Sequence, residues 1–107
     1  MPNVSNSNRA DQLIKILLDD TESMDIKDDA AIALSETGSL RAEAALIVAI
    51  LDPEFDEVVI ATCAESLGEL WSKRNHFDSA LVEEFPLIAQ TELLAITKHL
   101  QIETSQG

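Results

Sequence analysis

The side chains able to do chemistry in this chain are overwhelmingly carboxylates. Asp and Glu number 20 against 7 Lys and Arg, a formal charge of −13. They are concentrated as well as numerous. Asp19, Asp20, Glu22, Asp25, Asp28 and Asp29 crowd one stretch that holds only Lys27 as a base. Asp52, Glu54, Asp56 and Glu57 crowd a second with no base, and Glu83 and Glu84 form a smaller third. Three readings stand side by side: a surface for a cationic partner, a solvated face whose acids cap helices and complement their dipoles, and a cation site. Capping accounts for Asp25, Asp28, Asp56, Glu57 and Asp78, but it does not require a run of mutually repelling acids. Asp19, Asp20, Glu22, Asp25, Asp28, Asp52, Glu54, Asp56 and Glu57 are therefore the candidate partner-binding residues.

Other chemistry finds little footing. Asp25-Ile26-Lys27-Asp28-Asp29 lacks the ligand spacing and the glycine of an EF-hand loop. His76 and His99 are too far apart in sequence to form a His-x-x-x-His zinc pair, and Cys63 sits at an apolar position of a helical face, where a small core residue is expected. No His/Asp spacing supports a nucleophilic triad, and three glycines leave little room for a phosphate loop. Paired carboxylates are plentiful, but nearness in sequence alone raises no pKa. Trp71, beside Lys73 and Arg74, reads either as an exposed binding aromatic or as core, and its place at the end of an apolar stripe favours core. The expectation is a protein that is not an enzyme and carries no cofactor and no metal.

The charge also argues against nucleic acid and anionic membranes as partners, since both need a basic face. The longest apolar run, Ala44 to Leu51, is far short of the roughly 20 residues a bilayer requires. The opening MPNVSNSN has neither the cationic nor the apolar region of a signal peptide. With a single cysteine, no disulfide forms within the chain and the expected compartment is the cytoplasm. A chain of 107 residues holds one domain. The expectation is a disordered arm over 1–8, a helical domain over 9–101, a disordered tail over 102–107, and a monomer.

Apolar spacing of three and four residues divides that domain into six helices. They are expected at 9–18, 26–37, 40–51, 56–72, 78–85 and 87–100. Asp25, Ser39 and Asp78 are expected caps, Gly38 a helix terminator, and Pro86 the opening of the last helix. Leu40, Ala44, Ile47, Val48 and Leu51 are expected to face the core from the third helix, and Leu34, Leu46, Ile47, Leu51, Ile60 and Leu67 are expected to be buried between stacked helices. A buried strand is the rival for Ala44 to Leu51, disfavoured by its alanines and by the lack of hairpin turn sequences. Gly68 lies inside the fourth helix at a cost of ~1 kcal/mol relative to alanine, a sign of close helix packing.

An internal repeat runs through these elements. Leu13-Ile14-Lys15-Ile16-Leu17-Leu18-Asp19 aligns with Leu46-Ile47-Val48-Ala49-Ile50-Leu51-Asp52 at an offset of 33, and the same offset carries Ala31, Leu34 and Glu36 onto Ala64, Leu67 and Glu69. Helical repeats of this period stack into solenoids, so the expected fold is all-α, a short right-handed α-solenoid of about six helices. Stacking would bring the acidic connections to one edge. The opposite edge would carry the Gly38-Ser39 turn and the basic Lys73-Arg74-Asn75-His76.

Asp29-Ala30-Ala31-Ile32-Ala33-Leu34-Ser35-Glu36-Thr37-Gly38 and Cys63-Ala64-Glu65-Ser66-Leu67-Gly68-Glu69-Leu70 resemble the first helix of HEAT repeats, with Ala64, Leu67 and Gly68 matching its Ala-Leu-Gly signature. Ser35 departs from it where glycine is usual. The resemblance covers about 13–100 and implies a HEAT-like or armadillo-like module that binds proteins along a curved face. In size, charge and fold type the chain is also similar to small helical immunity proteins of bacterial contact-dependent growth inhibition systems. That similarity implies a cationic partner such as a toxin nuclease domain, held by the acidic ridge.

Overall fold

The local signals that start and stop the helices act much as the residue types demand. A computed structural model describes residues 5–106, the side chains of 5–7, 99 and 101–106 excepted. Its elements are α1 (Ser5–Leu17), α2 (Met24–Leu34), α3 (Leu40–Leu51), α4 (Glu57–Arg74), α5 (Ser79–Val82) and α6 (Leu87–Gln106). Ser39 Oγ accepts from the Arg41 and Ala42 amides, Asp56 Oδ1 from the Val58 amide, and Asp78 Oδ1 from the Leu81 amide. The cap of α2 is Ser23 rather than Asp25, which falls in the first turn. Gly38 holds a left-handed φ of 66° after α2, and Asn75 ends α4 at φ 55°, a conformation asparagine tolerates better than most residues. α1 opens at Ser5, ahead of the expected start, and α6 runs on to Gln106; the expectation of disorder at 1–4 and 107 lies outside the described residues. Among the described residues there is no strand, so the strand alternative for Ala44 to Leu51 fails.

α1 packs on α2 and α3, and α4 packs on α2, α3 and, most extensively, α6. The molecule measures 43 × 36 × 18 Å. With interhelical distances of ~8–10 Å, the short dimension is two helices deep. Leu17, Leu34, Leu46, Ile50, Leu67, Trp71 and Leu93 are fully buried between the helices.

The offset of 33 is visible in the hydrogen bonds. In the α1–α2 connection Asp19 N donates to Ile16 O, Glu22 N to Asp19 O, Thr21 N to Asp19 Oδ1 and Lys27 N to Ser23 O. In the α3–α4 connection the same four bonds recur 33 positions on, from Asp52 to Ala49, Phe55 to Asp52, Glu54 to Asp52 Oδ1 and Ile60 to Asp56. Burial follows the same offset: Leu17 and Ile50 are buried, Leu18 and Leu51 exposed, and Ala31, Leu34, Ala64 and Leu67 all fully enclosed.

α3 is turned over relative to the expected face. Leu40 is 66% exposed, Val48 54% and Leu51 43%, while Ala42, Ala45, Leu46, Ala49 and Ile50 are buried together with Glu43. At 100° per residue the two faces lie on nearly opposite sides of the helix. Leu46→Ala should therefore cost about 2–5 kcal/mol, whereas Val48→Ala should cost less than about 1 kcal/mol. Denaturant unfolding of the two variants checks the rotation, and a reversed order would restore the sequence-derived face.

Gly68 marks the α4–α6 crossing. A Cβ added there would lie 2.9 Å from Ile96 Cβ, closer than real atoms approach. Gly68→Ala should lower the melting temperature, because overpacking of about 1–3 kcal/mol outweighs the ~1 kcal/mol gain in helix propensity. An equal or raised melting temperature in a thermal scan would mean that the two helices separate freely.

Candidate functional site

The second acidic connection shares one hollow with the first and another with the third. Asp20 from the first and Asp52 and Glu54 from the second line a hollow of about 340 Å³, together with Lys27 and Phe55. Lys27 Nζ sits 4.5 Å from the centre of the Phe55 ring, a cation–π contact between α2 and the second connection. A neighbouring hollow of about 390 Å³ is bordered by Asp52 and Glu57 and by Glu84 of the third connection. Its remaining lining is apolar and includes Ile50, Pro53, Ile60, Phe85 and Ile88. Asp52 and Phe55 belong to both hollows and join the three connections into one surface.

The expected site residues divide by what they do locally. Asp19 Oδ1 accepts from the Thr21 amide at 2.9 Å and from its hydroxyl at 2.7 Å. Those bonds hold its carboxyl below the usual aspartate range. Asp52 makes the equivalent turn with the Glu54 amide, and Asp56 caps α4. Asp20, Glu54 and Glu57 accept no hydrogen bond and form no ion pair with a described residue. Asp25 is exposed in the first turn of α2, and Glu22 is half-buried. Asp28 stands apart from the others. It is half-buried in α2, and its charge acts on Cys63 and Glu65 of α4.

The basic stretch Lys73-Arg74-Asn75-His76 is less free than its composition suggests. Arg74 Nη2 lies 2.8 Å from both oxygens of the buried Glu43, whose Oε2 also accepts from Trp71 Nε1 at 2.6 Å. Lys73 Nζ donates to Ser35 O at 3.4 Å. Trp71 is fully buried, with His76 and Phe77 edge-on to its ring, so it is core. Burial pushes the Cys63 thiol up to about 12, with the Asp28 charge adding to it, which leaves the thiol without nucleophilic character near neutral pH.

The sequence reading missed Phe55, Phe85 and Ile88 as parts of the edge. The available signal was an aromatic residue inserted between Glu54 and Asp56, where a purely solvated loop has no use for one. Among the described residues no cluster of three or more His, Cys, Asp or Glu is arranged to hold a metal ion. No helix among them is long and apolar enough to cross a membrane. Comparison with protein-family models, with curated proteins and with solved structures finds no match for this chain.

A second acidic group bridges α4 and α6. Burial first, then the Glu92 charge and a hydrogen bond with Glu92, hold the Glu65 carboxyl above its ordinary 4.5, with Glu69 and Asp28 adding to the effect. A carboxyl whose folded pKa is raised stabilises the fold below the unfolded value and loses that contribution as pH rises through the folded value. Glu65→Gln should therefore raise the melting temperature at pH 7 and reduce the stabilisation gained on acidification to pH 5. Thermal unfolding of both proteins at the two pH values checks the sign, and a variant less stable at pH 7 would reverse it.

Proposed function

We propose that this protein is a non-catalytic binding module that neutralises a basic protein partner through its acidic edge. The observation that carries the reading is the meeting of Asp20, Asp52 and Glu54 around one hollow and of Asp52, Glu57 and Glu84 around the next. The partner class that fits best is a toxin nuclease domain. A nuclease active site is cationic because its substrate is a polyanion, and a carboxylate surface can occupy it. Complementary charge also speeds association towards ~10⁸–10⁹ M⁻¹s⁻¹ at low salt. This is the role of an immunity protein, of the kind found in contact-dependent growth inhibition systems, and it belongs in the cytoplasm.

The finer architecture belongs to the same proposal. The recurrence of four hydrogen bonds at an offset of 33, and the contacts of α1 with α3 and of α2 with α4, support stacked helix pairs in a short right-handed HEAT-like solenoid. A scaffold role is the second reading, favoured by the exposed apolar residues Leu40, Val48 and Leu51 on α3. A scaffold would dock through that apolar face and be largely indifferent to salt.

Capture of the partner from the native host, at low and at high salt, separates the two readings. Acidic-edge binding should weaken steeply with salt. Asp20→Asn, Glu54→Gln and Glu57→Gln combined should weaken binding of the identified partner, each desolvated pair accounting for about 2–5 kcal/mol. Folding stability should stay within about 1 kcal/mol, the scale of the dipole contribution Glu57 gives up. Unchanged affinity together with salt-indifferent binding would favour the scaffold.

A further inference from the structure

The hollow of about 390 Å³ between the second and third connections is chemically unlike the rest of the acidic edge. Its floor is Ile50, Ile60, Phe85 and Ile88, and its rim is Asp52, Glu57 and Glu84. Among the described residues no basic side chain lines it. A surface that only steers cations needs no apolar floor, and a merely solvated face would close over one. Leu51, which lines the hollow, is exposed to solvent.

We propose that this hollow receives one large apolar side chain, aromatic or aliphatic, presented by the cationic partner between lysines or arginines. The proposal rests on the acidic-edge reading and specifies its energetic centre. The volume lies at the small end of ligand pockets, which suits an inserted large side chain. Protein interfaces concentrate their energy in such anchors, each enclosed by a water-excluding rim. Here the rim acids face the cations flanking the anchor, so the apolar and ionic contacts are made together. The exposed Leu51 adds apolar surface that a partner protein would cover, and the three rim carboxylates match a cationic segment.

The test uses two synthetic peptides, one with a single tryptophan and one with a single alanine, each flanked on both sides by lysines. Their affinities for the full chain are measured at low and high salt, and the methyl signals of Ile60 and Ile88 are followed by NMR. The tryptophan peptide should bind about tenfold or more tighter, as expected for burial of one large side chain. Both affinities should fall with salt while the preference persists, and the two methyl signals should move with the tryptophan peptide only. Ile88→Trp, which fills the hollow, should abolish the tryptophan preference. The unmodified protein's methyl signals decide the matter even if that variant fails to fold. Equal, salt-sensitive binding of both peptides with unmoved methyl signals would overturn the anchor site and leave the acidic-edge reading standing. Failure of both peptides to bind at low salt would overturn the two together.

Discussion

A buried carboxylate sets the geometry of this protein. Glu43 lies in the α3–α4 interface, where an unpaired charge would cost several kcal/mol. Its oxygens are met by Trp71 Nε1 and by Arg74, both from the last turns of α4. That arrangement is available in one rotation of α3 only. With Glu43 turned towards α4, Ala42, Ala45, Leu46 and Ala49 turn inward with it, and the alanines let the two helices approach closely. Leu40, Val48 and Leu51 are thereby left outside. A purely apolar ranking of faces would bury those three and expose Glu43. The observed face buries Leu46 and Ile50 in their place, and the alternative would in addition leave Trp71 Nε1 buried without an acceptor, at about 1–3 kcal/mol.

From α4 the constraint passes outward. α4 touches α2, α3 and α6, and its contact with α6 depends on the absence of a side chain at Gly68. The close crossing fixes the start of α6, where Pro86 and Ile88 border the larger hollow. The rotation of α3 supplies the other wall, by placing Ile50 inward and Leu51 at the rim. The hollow is thus a by-product of two packing decisions made far from it in sequence.

Most of the element boundaries were legible because they are set locally. Ser39, Asp56, Asp78 and Pro86 each act within a few residues of where they stand, and Gly38 and the repeat offset are equally local. The rotation of α3 was not legible. Ala44 to Leu51 is apolar all round, so the run specifies a helix but no face, and the residues that decide the face lie 28 and 31 positions away from Glu43. The candidate site was legible as charge and illegible as shape. The repeat brought the acids Asp20, Asp52 and Glu54 to one edge on paper, but the apolar floor needs Phe85 from the third connection and Ile88 from the first turn of α6, which lie outside the offset-33 matches.

The acids of the edge are not equivalent, and their differences separate folding from function. Asp19, Asp52 and Asp56 each accept a backbone hydrogen bond that closes a turn or caps a helix, so the fold alone accounts for them. Among the described residues Asp20, Glu54, Glu57 and Glu84 accept none, and they gather about two hollows whose described lining includes one positive charge, Lys27. Like charges held together repel, a cost the isolated chain recovers nowhere in these connections beyond the dipole contribution of Glu57. A partner that brings its own cations turns the same repulsion into affinity, because association relieves it. An apolar side chain seated at Ile60 and Ile88 would hold those cations in register, so that charge brings the partner in and burial keeps it there.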